Sequence, residues 1–239
     1  MNESREPLIE LRGISKDYRS LRPLRIHDLR LQHGDSIALM GLDADAAEVL
    51  VSVITGATLP DAGEARVLGR ATTSIATADE WLNWLEQFGL LSNRTSLIEQ
   101  LNVEQNLALA LSLEVEDMPP SLRAQVRTLV AELHIDEAEL SLPVLQASAA
   151  TQVRVRLGRA LAIKPQILLA EHPNAMLSPD DTPAFAADLS RIIADRRLTS
   201  VLMTSDRAFA SAVADHVYVL QPATGVLKQG SWVTRLLGR

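Results

Sequence analysis

Apolar and polar residues alternate over residues 8–12, LIELR, and again from Arg25 to Gln32, RIHDLRLQ. A period of two predicts strands with one buried face. Between them Ile14-Ser15-Lys16-Asp17-Tyr18 carries one aromatic in an exposed setting, and His33-Gly34-Asp35 predicts a turn. At Ser36 the alternation stops. Ile37 to Met40 is an unbroken apolar run, Gly41 interrupts it, and apolar residues recur at helical spacing from Ala46 to Val53. The stretch Ser36 to Val51, SIALMGLDADAAEVLV, therefore predicts a buried strand, a tight turn and a helix. Thr58 to Gly63 reads as a turn and Glu64 to Leu68 as a short strand ending at Gly69. Up to about Arg70 the chain is a β-rich block around one helix.

Residues 78–88, ADEWLNWLEQF, place Trp81, Trp84, Leu85 and Phe88 on one face of an amphipathic helix. That spacing is a core stripe rather than a docking face. Gly89-Leu90-Leu91 predicts a strand ending in Ser92-Asn93-Arg94. Helical periodicity then dominates from Ser96 to about Ser141, interrupted at Met118-Pro119-Pro120, which makes a helical insert between two α/β halves. Val153 to Ile163 predicts a helix, on which Arg154, Arg156 and Arg159 form a solvated or salt-bridged face rather than an anion site. Gln166 to Ala170 and Thr199 to Met203 are apolar strands, with unbroken apolar runs over 167–170 and 201–203, of the kind buried in parallel sheets. Helices over Pro183 to Asp195 and Ala208 to Ala214, a strand over His216 to Leu220 and a hairpin strand over Gly225 to Lys228 complete the pattern. The alternation implies a mainly parallel core sheet built from βαβ crossovers. Asp180-Asp181 marks the start of the Pro183 helix.

A length of 239 residues with 47% hydrophobic composition suits one large domain or a core with a subdomain. The divisions are 1–92 for the β-rich and phosphate-loop part, 93–150 for the helical insert and 151–239 for the second half of the core, within a single domain 1–239. The net charge of −7 argues against broad nucleic-acid binding. The chain has no cysteine, so no disulfide, thiolate metal site or Cys nucleophile is available. The polar start, MNESREPLIELRG, has no signal-peptide core, and no apolar run approaches the ~20 residues of a membrane span. These features predict a cytoplasmic chain that meets a membrane only through a partner. Aromatics are 3%, which leaves the packing to Ala, Leu, Val and Ile. The five histidines, His27, His33, His134, His172 and His216, have no metal-ligand spacing, and no metal site is expected. No Ser–His–Asp or paired-carboxylate constellation is assembled.

A strand, glycine turn and helix near the front of an α/β chain is where a phosphate loop sits. Such a loop uses glycines for backbone N–H groups, a lysine for the terminal phosphates and a hydroxyl for Mg²⁺. Against G-x-x-G-x-G-K-[ST] this chain supplies Gly41, Leu42, Asp43, Ala44, Asp45, Ala46, Ala47 and Glu48. Only the first glycine is present. Ala47 stands at the lysine position and Glu48 at the hydroxyl position.

The later chain repeats the theme. Residues 153–179, with Arg154-Val155, Arg159-Ala160-Leu161-Ala162, Pro165, Pro173, Leu177 and Pro179, resemble the stretch from the signature helix to the following loops in nucleotide-binding subunits of ABC transporters. Asn102-Val103 with Asn106 resembles that family's pattern after its glutamine loop. The resemblance covers nearly the whole chain. It implies a P-loop NTPase-like ABC nucleotide-binding domain: α/β, with a mainly parallel core sheet, an antiparallel N-terminal β-subdomain and a helical insert.

The family's chemistry residues are replaced, so its Walker motifs are degenerate here. The signature aligns with Ala147-Ser148-Ala149-Ala150-Thr151, where only Ser148 is kept. Glu171 aligns with the metal-organising aspartate and His172 with the catalytic glutamate. Ser178 aligns with the next loop's aspartate, Ser205 with the switch histidine and Asn93 with the loop glutamine. Tyr18 matches the aromatic that stacks on adenine. Phosphoryl transfer rests on positioning and charge compensation. Here the lysine is gone, and Asp43, Asp45 and Glu48 add negative charge. Two like charges ~4 Å apart repel by ~4 kcal/mol at an effective dielectric of ~20. The alanines are expected to crowd a loop that needs positive φ. The resemblance therefore implies a vestigial nucleotide site at Tyr18, Gly41, Asp43, Asp45, Ala47, Glu48, Asn93, Ser148, Glu171, His172, Ser178 and Ser205, with no catalytic residue. No cofactor is expected; ATP and Mg²⁺ enter only if the site still binds them.

Asp43 or Asp45 is expected to cap the Ala46–Val53 helix where phosphate normally sits, as an ordinary N-cap rather than a selected phosphate mimic. The expected function is a catalytically inactive subunit of a membrane transport complex. Its partners are a polytopic permease and a second ATPase subunit or a copy of itself, with no nucleic acid. Family dimers pair head to tail, so this chain alters both composite sites. An atypical active ATPase using Glu171 and His172, and a soluble pseudoenzyme binding another protein, are the alternatives.

Overall fold

The computed structural model describes residues 6–230. Residues 1–5 and 231–239, the outer ends of the expected domain and the first residues of the polar N-terminal stretch, lie outside the described residues. The first part of the chain runs β1 (Ile9–Lys16), β2 (Leu24–Leu31), β3 (Ser36–Met40), α1 (Ala44–Ile54), β4 (Ala62–Val67), β5 (Arg70–Ala71), α2 (Ala78–Leu85) and β6 (Phe88–Ser92). The helical insert carries α3 (Val103–Ala108) and α4 (Pro120–Glu132). The rest runs α5 (Ala149–Ala162), β7 (Ile167–Glu171), α6 (Thr182–Arg196), β8 (Thr199–Met203), α7 (Arg207–Val213), β9 (His216–Gln221) and β10 (Val226–Gln229).

Two sheets result. An antiparallel one has the order β2-β1-β4-β5, and a six-stranded one the order β10-β9-β3-β8-β7-β6. The larger sheet is parallel except for the β9–β10 hairpin. Its central strands are covered on both faces, which is why they read as apolar runs. Ile37, Leu39, Ile167, Leu169, Val201 and Met203 join the cluster that includes α1 and the antiparallel sheet. Ala38, Leu168, Ala170 and Leu202 join the helical cluster on the opposite face. Helix α1 thus lies between the two sheets, touching β2, β4 and β7. Its buried Ala46, Ala47, Leu50, Val51, Val53 and Ile54 explain why so small and apolar a helix is needed there.

The insert is organised by Asn102 and Asn106. Asn102 and Gln105 form a reciprocal capping box at the start of α3. Fully buried Asn106 accepts from the Ile98 N–H at 2.9 Å and donates to the carbonyls of Ile98, Leu101 and Asn102. A side chain with that many bonds fixes the loop leading into the insert. Pro119 and Pro120 stand at the N-cap and first turn of α4, where their missing N–H groups cost nothing.

Several sequence expectations are corrected. Helix α2 stops at Leu85, and Phe88 belongs to β6, although Trp84 and Phe88 are buried and in ring contact at 5.7 Å. Trp81 is half-buried and donates its ring N–H to the Thr55 carbonyl at 3.1 Å. Helix α5 starts at Ala149, four residues before the periodicity does, because Ser148 caps it there. Of the solvated and salt-bridged alternatives for the α5 arginines, Arg154 takes the salt-bridged one. Arg154 is buried, pairs with Asp188 of α6 at 2.8 Å and donates to the Leu133 carbonyl. Arg156 and Arg159 donate to the carbonyls of Thr95 and Ser96, and burial pulls both guanidinium groups below their usual range.

Candidate functional site

The turn between β3 and α1 contains only Gly41, Leu42 and Asp43. Gly41 has φ +90°, and a Cβ there would meet the Leu220 carbonyl oxygen at 2.9 Å. Both facts require glycine. Leu42 turns into the core, and Asp43 is extended, with φ −76° and ψ 178°. Its Oδ1 accepts the Ala46 N–H at 2.8 Å, which satisfies one of the free donors of the helix N-terminus. Helix α1 accordingly starts at Ala44, two residues before its apolar repeat. The alanines do not crowd a left-handed loop. Ala44 and Ala46 are helical, and Gly41 is the residue of 41–46 with positive φ. Alanine at those places lets the helix extend backward, and the turn shortens.

Asp43 alone makes the cap; Asp45 lies in the first turn and is exposed. Ala47 is fully buried, and Glu48 is exposed. Tyr18 is half-buried rather than exposed, packed against the cluster that contains Leu42. With Gly41, Leu42, Asp43, Ala46 and Leu220 it lines a space of about 80 Å³, small beside the ~300–1,000 Å³ of ordinary small-molecule pockets.

A second group gathers at the C-terminal ends of β6, β7 and β8, where Ser92, Glu171 and Met203 are in register. Arg94, in the loop after β6, pairs through Nη1 with Glu48 and through Nη2 with Glu171. Ser92 Oγ donates to Glu171 Oε2 at 3.2 Å, and Asn93 Nδ2 donates to the His172 carbonyl at 3.2 Å. His172 has φ +42°, a conformation uncommon for a residue with a Cβ. Its N–H bonds the Met203 carbonyl at 2.8 Å, while its buried Nε2 has no hydrogen-bond partner among the described residues. Ala44, Asn93, Arg94, Glu171 and His172 border a cavity of about 280 Å³.

The remaining aligned residues lie apart from both cavities. Ser148 caps α5, its Oγ accepting the Thr151 N–H at 3.1 Å. Glu139 Oε2 in turn accepts from the Ser148 N–H at 3.0 Å and from its Oγ at 3.2 Å. Ser178 bonds Asp181 at the start of α6, where Asp181 holds the N-cap position without a side-chain cap bond. Ser205 is exposed; its neighbour Thr204 instead donates to Asn174 Oδ1 at 3.0 Å and accepts from the Asp206 N–H. Among the described residues no group of three or more His, Asp or Glu residues could hold a metal ion, and no helix is long and apolar enough to cross a membrane.

Of the residues that the sequence aligns to one site, the structure gathers Glu48, Asn93, Glu171 and His172 around Arg94, which sequence reasoning missed along with Glu139. A signal for Arg94 was present. Two carboxylates at neighbouring aligned positions, with no lysine, call for a cation, and Arg94 directly follows Asn93.

The family described as ABC transporter matches residues 24–175. The sulfate/thiosulfate import ATP-binding protein CysA of Pseudomonas aeruginosa is 28% identical over 224 residues, covering 92% of this chain and 65% of that protein. The CysA protein of Thermosynechococcus vestitus is 29% identical over 217 residues, covering 89% and 61%. The chain spans between 61% and 65% of the length of these curated relatives. Among solved structures, the dimeric structure of MJ0796, a bacterial ABC transporter cassette, matches with TM-score 0.75 at 20% identity over 92% of this chain and 98% of that one. The cbiO1 protein of Clostridium perfringens, part of the ABC transporter complex cbiONQ, matches with TM-score 0.78 at 18% identity over 94% and 88%. Two layered sheets around α1, and a family match over residues 24–175, lead to one conclusion: the chain belongs to the ABC transporter family and has the fold of its ATP-binding domain.

Proposed function

We propose that this chain is an ABC-type subunit that supports a membrane transport complex without hydrolysing ATP. The observation that carries the reading is the Asp43 carboxylate on the Ala46 N–H. A helix N-terminus with free N–H groups attracts an anion, and nucleotide phosphate is the usual one in this fold. Here a side-chain anion takes that place. A phosphate arriving at the same turn meets Asp43, Asp45 and Glu48 with no lysine at Ala47. The residues do not fit a magnesium nucleotide.

The fold reading also supports partners. The structural neighbours include a dimeric cassette and a component of a larger transporter complex, and the curated relatives are ATP-binding proteins of import systems. We assign this chain a membrane permease partner and a pairing with a second cassette, either a copy of itself or an intact ATPase. It would then sit on the cytoplasmic face of the membrane through that permease. The helical insert at 93–150 is the docking element.

One observation favours a second reading, an atypical ATPase. His172 Nε2 is buried without a partner beside the cavity that Glu171 borders, which leaves one ring nitrogen available to a water or ligand atom in that cavity. Phosphate release from Mg-ATP separates the two readings. The inactive reading expects no turnover above buffer from the chain and its His172→Ala variant alike. Magnesium-dependent turnover that His172→Ala abolishes overturns it in favour of the ATPase.

A further inference from the structure

Glu48 belongs to α1 and Glu171 to the end of β7, yet both carboxylates reach one guanidinium. The Glu171 side chain is 12% exposed, against 45% for Arg94 and 55% for Glu48. A nearly buried carboxylate needs a charged or hydrogen-bonding partner, and Glu171 has Arg94 and the Ser92 hydroxyl. The loop that delivers Arg94 is itself tied down. The Arg94 N–H donates to Ser92 Oγ at 3.2 Å, and Asn93 holds the His172 carbonyl.

We propose that Arg94 is a built-in cation that occupies the meeting point of Glu48 and Glu171 and closes it to free divalent metal. The inference rests on the reading of this turn as a site that does not use Mg-ATP. Three features support it. The guanidinium is a planar fork that offers separate N–H edges to two carboxylates at once, which an ammonium cannot match. It is attached to the chain, so it is present without the association entropy that a diffusing ion loses. Hydrated Mg²⁺ gives up water reluctantly and binds best with several oxygen ligands, whereas here two carboxylates are already engaged. Arg94 also links α1, the end of β7 and the loop after β6, so the closed pair has a mechanical consequence: the three elements are fastened at the edge of the cavity.

The test compares the full chain with Arg94→Gln, which keeps a polar side chain and removes the cation. Thermal unfolding is followed in EDTA and in Mn²⁺, and bound Mn²⁺ is counted by electron paramagnetic resonance. The wild-type midpoint is expected to be the same in both conditions, with no Mn²⁺ bound through Glu48. In EDTA the Arg94→Gln midpoint is expected to fall by about 2–4 °C. Mn²⁺ then restores it, with one saturable ion per chain, and adding Glu48→Gln removes that ion. A wild-type Mn²⁺ site lost in Glu48→Gln overturns the proposal. So does an Arg94→Gln chain that keeps the wild-type midpoint and takes up no ion. If Arg94→Gln fails to fold in EDTA, refolding from denaturant gives the same answer: recovery in Mn²⁺ supports the built-in cation, and equal failure in both conditions overturns it. Mg-ATP binding by the wild-type chain would overturn the non-catalytic reading of the turn instead, and the Arg94→Gln comparison would still decide the role of Arg94.

Discussion

Helices α1 and α5 both have a carboxylate at their N-terminal end. They differ in where it comes from. At α1 the cap itself is charged: Asp43 accepts from Ala46 N–H, and Asp45 adds a second acid in the first turn. At α5 the cap is the neutral Ser148 hydroxyl, the first turn has no acid, and the carboxylate arrives from Glu139, which bonds the Ser148 N–H and Oγ. Helix α1 is closed by its own sequence and α5 by a neighbouring turn. The first turn of α5 opens with Ala149 and Ala150, and that of α1 with Ala44, Asp45 and Ala46. A helix end can thus be satisfied by acidic side chains of the chain itself, which supply an acceptor at no cost in association.

Substitutions can break this comparison. The largest effect is expected for Asp43→Ala, which removes both the cap and its favourable charge. The cap is worth ~1 kcal/mol (roughly 0.5–2) and the charge ~0.3–1 kcal/mol. Unfolding of Asp43→Ala should show the midpoint falling by roughly 2–4 °C per kcal/mol. An unchanged midpoint would mean that the cap stabilises nothing. Ser148→Ala should cost less, about 0.5 kcal/mol, because it removes a neutral cap from Thr151 N–H and no charge from the helix end. Equal losses at the two sites would erase the distinction between a charged local cap and a neutral cap held by a distant acid; chemical denaturation of the two variants side by side decides it.

The same contrast explains what could be read in the sequence. The strands were legible because each has a simple pattern: alternation in β1 and β2, and apolar runs over 37–40 in β3, 167–170 in β7 and 201–203 in β8. Asp43 was legible because an N-cap acts within three residues. The start of α1 was placed two residues late, because the apolar repeat marks where a helix packs and the cap marks where it begins. Phe88 was placed on a helix because an apolar residue that opens a strand can fall in phase with the preceding helix. The Arg94 bridge spans 46 residues to Glu48 and 77 to Glu171, a separation no local pattern carries. The buried Arg154–Asp188 pair is hidden for the same reason, since a helix arginine reads as solvent-facing until its partner helix is in place.

The central claim is that the turn at Gly41 to Asp43 no longer takes nucleotide. The most direct measurement is a calorimetric titration of the purified chain with Mg-ATP to millimolar concentration, paired with a thermal-shift scan. The account predicts no saturable heat and no change in the unfolding midpoint. A saturable heat would contradict it if it came with a rise in stability on the order of 2.7 kcal/mol at about a hundredfold excess over Kd. That result would make the turn a nucleotide site despite its acids.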